Sequence, residues 1–441
     1  MYILAFDYGT SSIKLSLFDR EMKCVKSTSV DYRYRVANND WVTLEAGTLY
    51  QSLVTGVAQL SEYLQGVEVI AFDTFSPSLV LMDGNGNALY PVITHLDRRA
   101  KAQSKRIKNQ MGAECYQRIT GIFPFTGGAS ITTMMWFREN MRDTFNKTCM
   151  LGHLNTFIYK KLTGVWATDP VNASMTGAYE TITEKGWSAD ILQEFGIPEN
   201  KLPDIHQPGT ILGRLLPEAA RDLGLKAGIP VALGSNDAAT AHAGAGNSCS
   251  GDVLNISGSS EMVSILSDRP VINSKYYLRK SVYPGLWQLY ATTMGGFALE
   301  WAKKELFSGM DRKEFYDLLI PGLLARGMDG SMVKFLPYMA GDRQSLKRKT
   351  GAFTGLTLDS TREDMLLSVL YGINEPIRKT LLLGSKFLKI NSPLKITGGL
   401  TRTQGYPEFK AKVLGGYKVE AREDCTITGA ATLALKALNG G

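Results

Sequence analysis

Apolar and polar residues alternate near the start of the chain. Ile13, Leu15 and Leu17 are separated by Lys14 and Ser16, the period-two pattern of a half-buried strand. Residues 1–6 form an apolar run that reads as a first strand. Gly9-Thr10-Ser11 between the two predicts a β-hairpin with a small, hydroxyl-rich turn. The pattern returns later. Residues 252–269 (DVLNISGSSEMVSILSDR) are weakly similar to residues 2–20 (YILAFDYGTSSIKLSLFDR). Gly9, Thr10 and Ser11 fall on Gly258, Ser259 and Ser260, and Asp19-Arg20 on Asp268-Arg269. Two such hairpins imply two homologous domains facing one cleft. Gly234-Ser235-Asn236-Asp237, followed by small residues 238–241, reads as a strand end, a turn and a helix start. Gly295-Gly296 precede a helix at residues 297–301, and the apolar run 394–397 ends at Gly398-Gly399.

The turns carry candidate chemistry. Glycine lets the backbone approach a ligand closely, and exposed N–H groups with Thr/Ser hydroxyls make an anion nest whose natural guest is phosphate. Thr10, Ser11, Ser12 and Lys14 would meet phosphates from one side, and Gly258, Ser259 and Ser260 from the other. Lys14 fits a solvated strand face equally well. The copies differ where Asp7 corresponds to Ile256. A carboxylate at a strand end beside a phosphate turn can hold Mg²⁺ or its waters, so the asymmetry implies one metal site, at Asp7. Asp237, on local pattern alone, reads as a helix N-cap.

Composition narrows the class. The 441 residues are 44% apolar and 21% charged, which excludes a disordered or collagen-like chain. The 44 glycines follow no repeat period and point to tight turns and close ligand approach. No run approaches the ~20 apolar residues of a membrane helix, and the first run meets Asp7 too early for a secretory segment. Five scattered cysteines without a Cys-x-x-Cys predict reduced thiols in a cytoplasmic protein rather than a zinc site or disulfide framework. The net charge of +7 is spread out, with one cluster at Lys347, Arg348 and Lys349 that no aromatic residue interleaves. That reads as a solvated loop, not a nucleic-acid surface. A mild basic excess suits anionic phosphates.

Together the motifs resemble the FGGY carbohydrate kinases, the sugar-kinase branch of the actin/hexokinase/Hsp70-like ATPases. DYGTSSIK is similar to the family's first phosphate loop, GSNDAATAHAGAG to its catalytic Asp segment and KITGGLTRTQGYPEFKAKVLGG to its adenosine segment. GHLNTFIYKKLTGVWATDPVNASMTGAYE, FLPYMAGDRQ, GAFTGLTLDSTREDM and ITGAATLALKAL follow in the family's order, so the resemblance spans nearly the whole chain. It implies an α/β fold of two actin-like (ribonuclease H-like) ATPase domains, 1–244 and 245–441, flanking a nucleotide/sugar cleft. It implies ATP and Mg²⁺ as cofactors and Asp237 as the base that takes the proton of the attacking hydroxyl. Gly296, Glu300, Gly398, Gly399 and Thr403 would join the phosphate turns at ATP. Ser76, Pro77, Ser78, Asp97 and Arg99, with Asp237, would meet the acceptor, and Trp41 is either a sugar platform or core. His95 and His242 read as structural.

The sugar motifs depart further from the family than the nucleotide motifs. Residues 75–78 (Phe-Ser-Pro-Ser) replace the usual Gln-Met-His-Gly loop, Thr156 a frequent Asp, Thr133 a usual Lys and Lys412 the Asp of the adenosine segment, and Tyr371 stands where an acidic residue is common. The expectation is ATP-dependent phosphorylation of a hydroxyl on a small sugar, sugar acid or polyol. A gluconate or deoxysugar kinase is the alternative to a pentulose kinase. An actin/Hsp70-like nucleotide-switched binding protein is the alternative outside enzymes. Neither nucleic acid nor membrane is expected as partner, and a homodimer is compatible with the reading.

Overall fold

The alternating segments form the hairpin they predict. The computed structural model describes residues 1–328, 331–339 and 349–439. Residues 340–344 of the FLPYMAGDRQ motif, and Lys347 and Arg348 of the basic cluster, lie outside them. The chain divides into two units. The first comprises Met1–Gly246, Leu278–Leu286 and Cys425–Gly441, the second Asn247–Tyr277 and Trp287–Asp424.

In the first unit, β1 (Tyr2–Tyr8), β2 (Ser12–Phe18) and β3 (Cys24–Asp31) run antiparallel, and β4 (Val67–Thr74) lies parallel to β1. With β5 (Ile211–Arg214), β6 (Pro230–Ala232) and β7 (Ser235–Asn236) they make a seven-stranded sheet in the order β5-β6-β4-β1-β2-β3, β7 pairing with β4. Alternation assigns the faces. Leu4, Phe6, Ile13, Leu15, Ile70 and Phe72 pack on one side with Leu49, Leu53 and Val57 of α1 (Ala46–Ala58). Ile3, Ala5, Val69 and Ala71 point the other way, onto Ile427, Ala430, Ala431 and Ala434 of the C-terminal helix (Cys425–Leu438). Each such large aliphatic or aromatic side chain, fully buried, contributes about 1.5–3 kcal/mol relative to exposure. Two further helices, α2 (Pro170–Thr176) and α3 (Asp237–Gly244), border the site.

The expected division at 244/245 assigns the C-terminal helix to the second domain, whereas the structure groups it with the first unit. The reason is steric. A Cβ at Gly429 would lie 2.0 Å from the Thr240 carbonyl oxygen, and one at Gly244 only 1.9 Å from that of Cys425. Glycines facing each other let the C-terminal helix and α3 touch backbone to backbone.

The second unit repeats the strand pattern. β8 (Val253–Ser257), β9 (Ser260–Ser267) and β10 (Trp287–Met294) are antiparallel, and β11 (Leu394–Thr397) lies parallel to β8, as β4 does to β1. β12 (Val419–Ala421) follows parallel to β11. A separate core joins α4 (Gly296–Leu306), α5 (Arg362–Gly384) and α6 (Tyr406–Val413) through Leu299, Leu366, Leu370, Ile373 and Phe409. The start of α5 is set by a capping box. Thr361 Oγ1 accepts from Asp364 N at 3.1 Å, and Asp364 Oδ2 accepts from Thr361 N at 3.0 Å.

Gly429→Ala should destabilise the protein by about 1–3 kcal/mol or more, because the added methyl meets backbone that cannot rotate aside. Denaturant unfolding followed by far-UV circular dichroism measures this; an unchanged midpoint would show that the helices can separate at no cost.

Candidate active site

Parallel pairing brings three strand ends together in the first unit. Asp7 of β1 is registered with Asp73 of β4, and Asp73 with Ser235 of β7, whose next residue but one is Asp237. Asp7 and Asp73 share the phase of Ala5 and Ala71, the face that carries the C-terminal helix. Thr426 Oγ1 in its first turn donates to Asp7 Oδ2 at 3.0 Å. Asp73 is 0% exposed, and neither of its carboxylate oxygens, nor Asp7 Oδ1, has a hydrogen-bond partner. Burial pushes the Asp73 carboxyl well above the ordinary range, with the Asp7 charge adding to it and Lys14, the cross-strand partner of Asp7, opposing it.

Asp237 does not cap its helix. Asn236 does, accepting from Ala239 N at 3.1 Å. Asp237 instead takes the first helical position, where its Oδ1 accepts from Ala238 N at 2.6 Å and Asn236 Nδ2 at 2.8 Å. Burial pushes this partly exposed carboxyl up to about 7. The Asp7 charge adds to the rise, while the Ala238 N–H, Arg279 and Asn236 restrain it. Beneath lies Asp169, the N-cap of α2. It accepts from Val171 N at 3.0 Å, Ser235 Oγ at 2.7 Å, Asn172 Nδ2 at 2.6 Å and Asn155 Nδ2 at 3.0 Å. These bonds offset the burial that lifts it to about 6. They fix Ser235, and so the strand that delivers Asp237. Asn172 extends the network to Ser76 Oγ and to His153, which burial drives down to about 4 and keeps neutral.

The first turn is clamped. The Tyr32 hydroxyl donates to the Gly9 and Ser12 carbonyls, and Tyr32 N donates to Ser11 O at 2.9 Å. Among the described residues, no group of three or more His, Cys, Asp or Glu is arranged to hold a metal ion. A hard cation at Asp7 would therefore complete its shell with waters and phosphate oxygens, as Mg²⁺ commonly does. The unpartnered buried oxygens of Asp7 and Asp73 fit such an ion.

The second unit contains a cavity of about 880 Å³, within the range of small-molecule sites. Gly258 and Ser259 of the second turn, Gly296, Phe297 and Glu300 of α4, and Gly399, Leu400, Arg402 and Thr403 line it, with Arg312, Tyr316 and Asp317. Gly296 N donates to Gly258 O at 2.8 Å and Phe297 N to Ser259 O at 3.0 Å, so the turn is pinned to the helix start. Glu300 Oε1 accepts from Tyr316 OH at 2.8 Å and pairs with Arg312 at 2.6 Å. A smaller cavity of about 480 Å³ in the first unit carries Glu45, Glu218 and Asp222 with Lys161, a lining of net negative charge.

The model of the FGGY family of carbohydrate kinases, N-terminal domain, matches residues 2–244. The chain belongs to the FGGY family of carbohydrate kinases. It is 26% identical over 442 residues to the L-fuculokinase of Escherichia coli (strain K12), covering 97% of this chain and 91% of that protein. It is 24% identical over 443 residues to the gluconokinase of Bacillus subtilis (strain 168), covering 93% and 82%. To the xylulose kinase of Staphylococcus xylosus it is 22% identical over 411 residues, covering 91% and 84%. Among solved structures, a xylulose kinase from Lactobacillus acidophilus superposes with a TM-score of 0.91 at 22% identity, covering 100% of this chain and 90% of that one. Plasmodium falciparum glycerol kinase with ADP superposes at 0.87 with 20% identity, covering 100% and 90%. The protein is thus a carbohydrate kinase of two actin-like ATPase units, using a sugar and ATP.

The kinase sorts its expected site residues unevenly. Gly258, Ser259, Gly296, Glu300, Gly399 and Thr403 meet at one cavity. Ser260 and Gly398 do not line it; Gly398, at φ +104°, turns the chain beneath Ser257. Thr10, Ser11 and Ser12 sit in the clamped first turn, and Lys14 is exposed on the adjoining strand. The expected sugar residues make internal bonds. Ser78 is fully buried and accepts from Leu154 N at 3.1 Å, and Pro77 is buried beside it. Arg99 is locked on Asp97 at 2.8 Å, with its guanidinium among Trp41, Tyr90, Trp136 and Phe137. Asp97 also accepts from Val42 N at 2.8 Å. These groups are spent inside the fold, and Trp41 packs on Arg99 at 4.4 Å. Asp73, Asp169, Tyr32, Phe297, Arg312 and Tyr316 are additions from the structure. A carboxylate ending the apolar run 69–72 was the one legible signal for Asp73.

A base must be ionised to accept a proton, and a carboxyl raised to about 7 loses that form as pH falls through neutrality. A reaction that used Asp237 as its base would lose acceptor kcat/KM by about tenfold per pH unit below roughly 7. A profile flat down to pH 5 would place the base at an ordinary carboxylate.

Proposed function

We propose that this kinase transfers the γ-phosphoryl group of ATP to a hydroxyl of a small sugar, sugar acid or polyol, with Asp237 as the base. The observation that carries this reading is the release of Asp237 from capping: Asn236 holds the helix end and leaves a carboxylate raised to about 7 at the strand ends. The acceptor O–H gives its proton to the Asp237 oxygen not engaged by Ala238 and Asn236. The acceptor oxygen bonds the γ-phosphorus as the bond to the bridging oxygen breaks, and ADP leaves. Such a residue mainly orients the nucleophile, and the turn N–H groups and hydroxyls stabilise the transferring charge.

Asp7 would hold Mg²⁺ directly or through water, with Asp73 behind it. Bound there, Mg²⁺ neutralises charge developing on the phosphate oxygens. The 880 Å³ cavity would take the nucleoside, Phe297 offering a ring face that is 55% exposed. Four exposed free cysteines fit a reducing compartment, the cytoplasm.

For the acceptor, the Phe75–Ser78 loop offers no imidazole. Of its hydroxyls Ser78 is buried, and Ser76 is held by Asn172. A pocket built this way mismatches a substrate that needs an imidazole partner, leaving polar groups unpaired at about 1–3 kcal/mol each. That disfavours D-xylulose, and the likeness to an L-fuculokinase and a gluconokinase favours a deoxyketose or an aldonate. ADP release over a panel of L-fuculose, gluconate, D-xylulose and glycerol tests this. A deoxyketose or aldonate should lead; turnover of D-xylulose above about ten per second with a sub-millimolar KM would refute the substrate assignment, and no acceptor-dependent ADP release across pentuloses, hexuloses, aldonates and polyols would refute the reaction.

A further inference from the structure

Charge is also buried beneath the second turn. Glu261 stands immediately after Ser260 on β9, registered with Ser257 of β8 and Thr293 of β10. Its side chain and that of Lys410 on α6 are both 0% exposed and form an ion pair. Glu261 Oε1 also accepts from Asn255 Nδ2 at 2.7 Å and Ser257 Oγ at 3.0 Å. The Lys410 ammonium donates in addition to Asn374 Oδ1 of α5 and lies 5.4 Å from the Tyr406 ring centroid. Asn374 is fixed in turn, its Nδ2 donating to Leu370 O at 2.8 Å.

The position of this pair matters more than its energy. Hydrophobic packing would hold β9, α5 and α6 together without charge, and a buried ion pair is weak evidence for stability because desolvation offsets its attraction. What it supplies is a fixed distance. The strand pair that carries Glu261 leads into Gly258 and Ser259, one wall of the cavity. The helix that carries Lys410 follows residues 399–403, which also line the cavity. Pairing of β8 with β11 fixes where the 399–403 loop starts; its far end, at α6, is held by apolar contacts such as Phe409 and by the Lys410 ion pair.

We infer that Glu261 and Lys410 are positioning residues that hold α6, and with it the far end of the 399–403 loop, against the strand of the second turn, and thereby set the fit of the nucleotide. The inference rests on the reading that this cavity takes the nucleotide. Neither residue touches the ligand. Both act through the walls they hold, so their loss should appear in nucleotide affinity and spare the acceptor.

The test uses Lys410→Met, Glu261→Gln and the double variant in the full-length kinase. Dissociation constants for Mg-ADP come from calorimetry, acceptor KM from initial rates and Tm from thermal unfolding. The single variants leave one charge buried alone and should lose Tm; the double variant keeps the volumes, removes both charges and should recover it. Nucleotide Kd should rise roughly tenfold or more in the double variant despite its recovered Tm, with acceptor KM changed by less than about twofold. If the singles do not fold, the double variant alone decides. A parental nucleotide Kd in the double variant, or nucleotide and acceptor constants that shift together, would overturn the inference. Gly296→Val guards the premise, because its branched side chain enters the cavity beside Gly258 O. Unchanged Mg-ADP binding in that variant would refute the nucleotide reading itself, and the inference with it.

Discussion

Like charges held close together at strand ends are the constraint on which the first unit depends. Parallel pairing of β1, β4 and β7 leaves no freedom in where Asp7, Asp73 and Asp237 stand, because each is set by register. Isolated buried carboxylates are costly, and nothing in the fold removes the cost entirely. Thr426 satisfies one oxygen of Asp7, and Asn236 and the Ala238 N–H satisfy one of Asp237, but Asp73 receives no hydrogen bond. A sheet selected for stability alone would end these strands in neutral residues. Crowded acids with displaced pKa values are what a site handling protons and phosphate-bound cations requires.

The second unit shows what the same hairpin looks like without that task. Ile256 and Thr397 occupy the registered positions that Asp7 and Asp73 hold in the first. Its charges lie one step further along β9, where Glu261 meets Lys410 and the pair is neutral as a whole. One copy thus crowds carboxyl groups at its strand ends, and the other hides a compensated pair and surrounds a cavity. Backbone topology is common to both, and chemistry follows from single side chains at matching positions.

Much of this was legible in residues. The period-two run at Ile13, Leu15 and Leu17 and its echo at residues 252–269 specify both hairpins, because a strand with one face buried has few alternatives. The glycine pairs marked the turns that meet at the cavity. That the C-terminal helix packs on α3 of the first unit was not legible, since the contact of Gly429 with Thr240 joins residues far apart in the chain. Charge in the Asp97-Arg98-Arg99 motif says nothing about burial; the aromatic cage around Arg99 shows the internal pair. Asp73 and the Glu261–Lys410 pair became visible when register was known.

The central claim is that Asp237 serves as the base, and replacement by asparagine tests it most directly, since the side chain keeps its shape and loses only the ability to take a proton. Acceptor-dependent turnover of Asp237→Asn should fall by about 10²–10⁴-fold while calorimetric Mg-ATP affinity stays at the parental value. Turnover within about threefold of the parent, with ATP bound normally, would contradict the account and leave Asp237 as a structural residue at the start of its helix.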